Sequence, residues 1–296
     1  MKIQFLNHGR VEMASSRYRM LIPARELVEF GHDVIVSAEP QPVDIMIMGK
    51  HFHYGDHDTA HRVKSEGTRV VFDVCDDHFS TPHAEHYLRM IKVADQVVVP
   101  TPSMAEAVRQ ATGRDADIVY DPYEMPEMPA KAPHGRLLWF GHQSNWDTLN
   151  AVLPAIAGRP LEVVTLPVKP MRREGETQIT KWSPENMKEA FSRAGIVIIP
   201  TTIEVKKQRK SANRMIESIR QGLFVCAGPL PAYDKLARYA HVGPIVQGIE
   251  WALRNPGEAV EKVRAGQAMI RKIYAPKRIA REWERVLGIQ QKQRAA

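Results

Sequence analysis

Short apolar runs alternate with amphipathic stretches through the first 120 residues. Such runs are typical of strands buried in a parallel sheet, whereas apolar residues spaced three and four apart indicate a helix face. The pattern predicts strands at Lys2–Leu6, Val34–Val36, Asp44–Met48, Arg69–Phe72, Gln96–Val99 and Asp117–Tyr120. It predicts helices at Ser16–Phe30, Asp58–Ser65, His83–Val93 and Ser103–Thr112, the last capped by Thr101 or Ser103. This alternation indicates a doubly wound α/β domain over residues 1–121.

A proline-rich segment at 122–134 interrupts the pattern and is predicted to be a domain linker, because proline continues neither helices nor central strands. The alternation then restarts, which predicts a second Rossmann-like domain at 135–275. Its expected strands are Arg136–Phe140, Leu161–Leu166, Gly195–Pro200 and Leu223–Ala227, and its expected helices are Asp147–Ile156, Pro184–Arg193, one ending near Gly222, Tyr233–Tyr239, Ile245–Arg254 and Pro256–Ile273. Residues 276–296 are predicted to form a closing amphipathic helix and a frayed tail, and we expect that this helix can return to the first domain.

A basic segment joins one buried strand of the second domain to the helix that follows it. Loops after parallel strands lie at the carboxyl edge of the sheet, where open α/β proteins bind ligands, and helix starts there offer free backbone N–H groups. Cations oppose the positive end of the helix dipole, so a bound polyanion such as a diphosphate would explain their presence. The alternative is a solvated basic loop with Glu217 in a surface ion pair, and we favour the anion site. The cations of this segment are Lys206, Lys207, Arg209, Lys210 and Arg214.

The amino-acid composition limits the classes of protein to which this chain can belong. The chain has 296 residues, of which 44% are apolar and 25% charged, as in a globular protein with two domains. No apolar run approaches the roughly 20 residues that span a bilayer, so we expect a cytoplasmic protein, with a peripheral position at the inner membrane surface as the alternative. The formal charge of +7 favours acidic partners, namely nucleotides, anionic membrane surfaces or nucleic acid. Cys75 and Cys226 have no metal-type spacing and are expected to be reduced.

The segment Lys210-Ser211-Ala212-Asn213-Arg214-Met215-Ile216-Glu217 resembles the donor-site motif of glycosyltransferases with the GT-B fold, particularly family 4-like members. Other similar stretches follow in the order expected for that family. They are Ser15–Arg19 after the first strand, Phe72–Asp77, Ala94–Pro102, Trp139-Phe140-Gly141 at the start of the second domain, and Tyr274-Ala275-Pro276 with Trp283 near the end. The resemblance implies the GT-B architecture, in which two Rossmann-like domains face a cleft.

The resemblance implies transfer of a sugar from a nucleoside diphosphate sugar, bound mostly by the second domain, to an acceptor bound mostly by the first. Glu217 matches the acidic residue that holds the donor ribose, and Lys210 and Arg214 match the basic region around the diphosphate. We expect Lys210 and Arg214 to stabilise charge on the leaving group, without a divalent metal and without a cofactor besides the donor substrate. The expected donor site comprises Lys206, Lys207, Arg209, Lys210, Ser211, Asn213, Arg214, Glu217, Gly141, His142 and Trp182.

The chain departs from the family pattern at two places. Family 4 enzymes commonly have a second Glu eight positions before Glu217, where this chain has Arg209. The Arg and Lys expected after the first strand of the second domain are replaced by the sequence that starts with His142. Cations of the loop from Lys206 to Arg214 are candidates to replace the missing pair.

Further candidates follow strands of the first domain. Asp73, Asp76 and Asp77 are candidates for acceptor orientation or a general base, against ordinary use of Asp at strand ends and helix caps. Asp73, Asp77 and His8 are candidate catalytic residues. The residues expected to contact the acceptor are Gly9, Arg10, Ser16, Arg17 and Arg19. His51, His53, His57 and His61 match no strict ligand motif and are interpreted as surface histidines.

Three functions remain in competition. The first is a glycosyltransferase acting on a surface glycan, a lipid-linked saccharide or a modified DNA base. The second is a nucleotide-sugar epimerase on the same fold. The third is a noncatalytic protein that binds anions or nucleic acid, although no helix-turn-helix, zinc-finger or RNA-recognition motif is present.

Overall fold

The computed structural model describes residues 1–49, 55–166, 177–202 and 204–289, and the side chains of 205 and 206 are outside this description. The chain divides into two compact units. The first contains Met1–Glu124, Val205–Ser211 and the segment from Ile273, and the second contains Met125–Glu204 and Ala212–Lys272. The sequence predicts one domain over the whole of 135–275, whereas the structure places Val205–Ser211 and the residues from Ile273 in the first unit.

Numbered along the chain, the strands are β1 Lys2–Leu6, β2 Asp33–Ser37, β3 Ile45–Gly49, β4 Arg69–Asp73, β5 Gln96–Val99, β6 Asp117–Ile118, β7 Leu137–His142, β8 Leu161–Leu166, β9 Thr177–Lys181, β10 Ile196–Ile199, β11 Phe224–Ala227 and β12 His241–Val242. The helices are α1 Ile22–Glu29, α2 Gly55–Ser65, α3 Ala84–Val93, α4 Pro102–Thr112, α5 Trp146–Asn150, α6 Pro184–Arg193, α7 Val205–Gln208, α8 Asn213–Arg220, α9 Ile245–Arg254, α10 Pro256–Ile273 and α11 Pro276–Leu287.

The first unit is built on a parallel sheet with strand order β2-β1-β3-β4-β5-β6. One face packs apolar residues of α2, α3 and α4. The other face packs α1 and the closing helix α11, whose Trp283 lies edge-on to Phe5 at 5.7 Å. The closing helix therefore belongs to the first unit, because its apolar stripe has its partner there.

The second unit has a parallel sheet with strand order β12-β11-β10-β7-β8-β9. Counted within the unit, this is the order 3-2-1-4-5-6 of the Rossmann fold, read from the other edge. Its central strands are apolar on both sides, as expected when helices cover both faces of a parallel sheet. The predicted α/β class with two Rossmann-like domains is confirmed.

Differences from the predicted elements have local causes. The helix expected at Asp147–Ile156 ends as α5 at Asn150 and continues only as a 3₁₀ turn at Leu153–Ile156, where Pro154 lacks the N–H that an α-helix needs. Two 3₁₀ turns replace the helix expected at Tyr233–Tyr239. The edge strands β9 and β12 were not predicted, because both carry polar residues typical of sheet edges.

The segment predicted as a domain linker is largely packed into the second unit. Residues 122–134 contain no helix or strand, but from Met125 onward the segment is bonded to the second unit. Met128 N donates to the carbonyl of Arg220, and Lys131 N donates to the carbonyl of Gly222. The segment is thus a bonded part of the second unit, because the N–H groups of Met125, Met128 and Lys131, which stand between its prolines, find partners there.

Candidate active site

The strand order of the second sheet reverses between β7 and β10. The chain leaves β7 toward β8 and β9 on one side, then returns to β10 and proceeds to β11 and β12 on the other. In open α/β sheets, ligands bind in the crevice outside the carboxyl ends of the strands at such a reversal. Gly141 and His142 end β7, and Thr201 follows β10, so they lie at this position.

Arg214, in the first turn of α8, points its guanidinium toward Gly141. A Cβ added at Gly141 would lie 3.6 Å from Arg214 Nη1. This Nη1 atom is buried and has no hydrogen-bond partner in the described part of the chain. Burial lowers the pKa of Arg214 from its ordinary value, with Tyr233 acting in the opposite direction. A buried cationic donor without a partner is costly, and an anionic ligand would remove that cost.

Two further buried polar atoms lie on the same face of the sheet. Trp139 is two residues before Gly141 on β7, and its ring lies 3.5 Å from the point at which Gly141 would carry a Cβ. Thr165 is in register with Gly141 on β8, so both face the same side of the sheet. Trp139 Nε1 and Thr165 Oγ1 have no hydrogen-bond partner among the described residues. Neither residue was predicted as a site residue from the sequence, although Trp139 stands in the stretch Trp139-Phe140-Gly141 and Thr165 is a polar residue within the mostly apolar run Leu161–Leu166.

The start of α8 adds backbone donors near Arg214. Ala212 occupies the N-cap position and supplies no capping side chain, and Asn213 is the first helical residue. Orphan N–H groups at a helix start attract anions. The predicted donor residues Asn213, Arg214 and Gly141 are therefore placed together at one edge of the second sheet.

Glu217 lies one turn further along α8 and is almost fully buried, with 3% exposure. Its Oε2 accepts a hydrogen bond from the backbone N–H of Met125 at 3.2 Å. From the sequence, the Glu217 carboxylate is predicted to accept hydrogen bonds from ribose hydroxyls. In the structure this carboxylate also has a partner within the protein, the backbone N–H of Met125, which lies 92 residues away along the chain.

The other donor-side candidates of the second unit lie at the same sheet edge. His142 Nδ1 accepts from the backbone N–H of Ser144 at 3.1 Å, so the imidazole caps the 3₁₀ turn that follows β7. Trp182 follows β9 directly, and its backbone N–H donates to the carbonyl of Thr165. Base stacking by Trp182 stays a prediction.

The basic segment before α8 has partners in the first unit. Arg209 Nη1 lies 2.6 Å from Asp77 Oδ2, and Thr101 donates its hydroxyl to the carbonyl of Arg209. Asp77 Oδ1 also accepts from the backbone N–H of Phe79. This ion pair does not support a diphosphate contact at Arg209 or a base at Asp77, because each charge already has a partner of opposite sign.

The remaining residues of the basic segment are only partly covered. Lys207, Lys210 and Ser211 are half-buried in the first unit. The side chain of Lys206 lies outside the described residues, as do His51 and His53. The donor roles of these lysines and of Ser211 stay predictions.

Arg19 is buried in the first unit and bonded on several sides. Its Nη2 lies 2.6 Å from Asp73 Oδ1, and its Nη1 reaches Asp121 at 3.0 Å and the carbonyl of Val119 at 2.5 Å. Burial would lower the pKa of Arg19, but the carboxylate of Asp73 more than reverses this and raises it. Arg19 and Asp73 form an internal ion pair, which does not support an acceptor clamp at Arg19 or a base at Asp73.

The loop after β1 is ordered by its own polar contacts. Asn7 Oδ1 accepts from the Gly9 N–H and from the Ser16 hydroxyl, and a Cβ at Gly9 would collide with Ser16 Oγ at 1.9 Å. Arg17 Nε donates to Glu124 at 2.7 Å, so this candidate also has a carboxylate partner. His8 and Arg10 are exposed beside these residues. The loop lies where the order of the first sheet reverses, between β1 and β3, and its role toward an acceptor stays a prediction.

Within the described residues, two kinds of feature bear on the class of site, namely clustered metal ligands and membrane-spanning helices. No group of three or more His, Cys, Asp or Glu side chains there is arranged to hold a metal ion. No helix in the same ranges is long and apolar enough to cross a membrane.

Comparison with known proteins identifies the fold. No protein-family model matches the chain, and a search of curated proteins finds no match. Solved structures do match. TarM aligns with TM-score 0.61 and 9% identity over 82% of this chain and 54% of its own, so the chain spans about half the length of TarM. A trehalose-6-phosphate structure from E. coli bound with UDP-2-fluoro glucose aligns with TM-score 0.58 and 10% identity over 93% of this chain and 78% of its own.

The chain has the GT-B fold. An α,α-trehalose-phosphate synthase (UDP-forming) from Burkholderia vietnamiensis aligns with TM-score 0.55 and 11% identity, over 92% of this chain and 79% of its own. At these identities the likeness concerns the fold, and the GT-B architecture that the sequence motifs implied is confirmed.

Proposed function

We propose that this protein is a glycosyltransferase, which moves a sugar from a nucleoside diphosphate sugar to a hydroxyl group of an acceptor. The observation that carries the proposal is the buried Arg214 Nη1, which has no partner in the described residues and lies beside Gly141. It occupies the strand-order reversal of a GT-B fold, where a ligand is expected. A diphosphate would supply the missing negative charge.

The chemistry of the reaction suits this arrangement. The acceptor hydroxyl oxygen bonds to the anomeric carbon of the donor and releases its proton to the leaving diphosphate or to solvent. The bond from that carbon to the diphosphate breaks, and its electron pair goes to the leaving diphosphate, which gains negative charge. A fixed cation and helix N–H groups stabilise that charge more in the transition state than in the ground state. Arg214 and the start of α8 supply both. Because Arg214 is a built-in cation, we propose that the reaction needs no divalent metal.

The fold relatives bind ligands of the proposed class. TarM of S. aureus has been solved with UDP and α-GlcNAc-glycerol, and the E. coli structure holds UDP-2-fluoro glucose. For this chain we propose a nucleoside diphosphate sugar donor, with Glu217 on its ribose and Trp182 near its base. The proposed acceptors are a surface glycan, a lipid-linked saccharide or a modified DNA base.

A binding screen followed by a turnover assay tests the proposal. Nucleoside diphosphates and their sugars are added to the protein, and the melting temperature is recorded. A ligand at 100 times its Kd should add about 2.7 kcal/mol of stability. The stabilising sugar nucleotide is then incubated with candidate acceptors, and nucleoside diphosphate release is measured.

Release that depends on an acceptor supports transfer. Interconversion of the sugar nucleotide without an acceptor would instead identify an epimerase. Absence of any nucleotide effect on melting, with DNA retained on a column, would overturn the proposal in favour of a noncatalytic nucleic-acid-binding protein.

A further inference from the structure

Residues 125–128, which contain no helix or strand, form a strap along α8 of the second unit. Gln221 Nε2 donates to the Pro126 carbonyl at 2.6 Å, and Gln267 Nε2 donates to the Met128 carbonyl at 2.7 Å. Met128 N donates to the carbonyl of Arg220 at 2.9 Å. Because its backbone groups are bonded at successive positions, the strap has a defined place against α8.

Arg220 contacts the strap at the point that also meets Glu217. Its Nε donates to the Met125 carbonyl at 3.1 Å, while the Met125 N–H donates to Glu217 Oε2 at 3.2 Å. Glu217 and Arg220 are three residues apart, so they lie on one face of α8. The two sides of the Met125 residue are thus held by two neighbouring side chains of the same helix.

Glu127 strengthens this arrangement. It pairs with Arg220 Nη1 at 3.1 Å, and its other oxygen pairs with Arg271 of α10. The Arg220 side chain is 6% exposed, so its charge is largely removed from water and its pairing with Glu127 is correspondingly important. Arg220 therefore holds two points of the strap.

We propose that Arg220 is a positioning residue for Glu217. By fixing the Met125 carbonyl, Arg220 directs the Met125 N–H at Glu217 Oε2 and so sets the orientation of the carboxylate toward the ribose hydroxyls of the donor. This inference rests on the proposed function, because it concerns the ribose contact that glycosyl transfer assigns to Glu217. A carboxylate rotated away from that orientation loses the hydroxyls, whereas the diphosphate contacts of Arg214 remain.

The test compares ribose recognition in matched variants. UDP and 2′,3′-dideoxy-UDP are titrated by calorimetry against wild type and Arg220→Lys, and the GDP and ADP pairs are measured in the same way. Hydrogen bonds to a charged group are typically worth 1.5–3 kcal/mol, so wild type should bind the hydroxylated nucleotide roughly 10-fold to 100-fold more tightly. In Arg220→Lys this ratio should fall to about 3-fold or less, because a lysine cannot bond both Met125 and Glu127 with a planar fork.

Arg271→Lys is the control. Arg271 also pairs with Glu127, but its replacement leaves the Arg220 bond to Met125 in place, so the ratio of UDP to dideoxy-UDP affinity should stay near the wild-type value. Glu127→Gln serves if Arg220→Lys does not fold, and it should lower the ratio as well, because it removes the charged partner that holds the Arg220 guanidinium in place beside Met125. An unchanged ratio in folded Arg220→Lys or Glu127→Gln would overturn the positioning role and leave glycosyl transfer standing. Equal wild-type binding of both nucleotides would overturn it too, whereas no nucleotide binding by wild type would overturn the proposed function itself.

Discussion

Replacement of Arg214 by methionine should make the protein more stable and less active at the same time. The wild-type guanidinium has a buried Nη1 without a partner in the described residues, and burial lowers its pKa. Such a group costs about 1–3 kcal/mol when it is left unsatisfied. Methionine keeps an unbranched apolar chain of similar length and removes the charge, so most of that cost should disappear.

The expected size of the effect can be worked from these values. A gain of about 2 kcal/mol in a unit of roughly 150 residues raises Tm by about 4–8 °C. Calorimetric scanning measures the shift and shows whether the two units melt together or in separate transitions. Addition of a nucleoside diphosphate should stabilise wild type by about 2.7 kcal/mol at 100 times its Kd and should stabilise the variant far less. Turnover at saturating donor should fall by a factor on the order of 100 or more.

Arg254→Met is the matched control. Arg254 is an exposed arginine of the second unit and pairs with Glu250 on α9. Its loss should change stability by less than about 0.5 kcal/mol and leave nucleotide binding unchanged. If Arg214→Met were destabilised while nucleotide still raised its Tm as in wild type, the reasoning would be refuted, since Arg214 would then be a structural residue with no part in anion binding.

Three further predictions address the site and its support. Gly141→Ala should fold normally, because the new methyl group would lie 3.5–3.6 Å from Trp139 and Arg214, but it should weaken donor binding at least 10-fold in a titration if the ligand occupies that space. Normal binding by this variant would place the diphosphate elsewhere. Gly222→Ala should lower the free energy of unfolding by roughly 1–3 kcal/mol from backbone strain alone, because Gly222 has a φ of 76°. The added Cβ would also lie 2.1 Å from the Pro129 carbonyl oxygen. Urea unfolding measures this loss of stability. Transfer activity should persist in excess EDTA because Arg214 supplies the cation, and loss of activity that Mn²⁺ or Mg²⁺ restores would contradict this.

The alternation of strands and helices could be predicted from the sequence alone. Runs such as Lys2–Leu6 and Ile196–Ile199 differ from amphipathic segments such as Pro276–Leu287 in local periodicity, which needs no knowledge of distant residues. The same holds for the cap at Thr101, whose side chain accepts from Met104 N three residues later. Arg214 and Glu217 were also visible as parts of one motif, because they are three residues apart and lie on one short helix.

Only the tertiary structure decided which charges have partners. Arg19 meets Asp73 across 54 residues, and Arg209 meets Asp77 across 132. No local pattern predicts such pairs, since each joins two segments that are distant in the sequence and meet only when the first unit folds. The sequence made Arg19, Arg209 and Arg214 all candidates for contacts with substrate, and the fold distinguished them by giving carboxylate partners to Arg19 and Arg209.

The position of the candidate site was likewise decided by strand order. Sequence periodicity predicts that β7 and β10 are strands, but it does not say that they are neighbours at the point where the order of the sheet reverses. That adjacency brings Gly141 beside Arg214, although 73 positions separate them in the sequence. The physical reason is that pairing of parallel strands is set by packing of the crossover helices over the whole unit, which no single segment encodes.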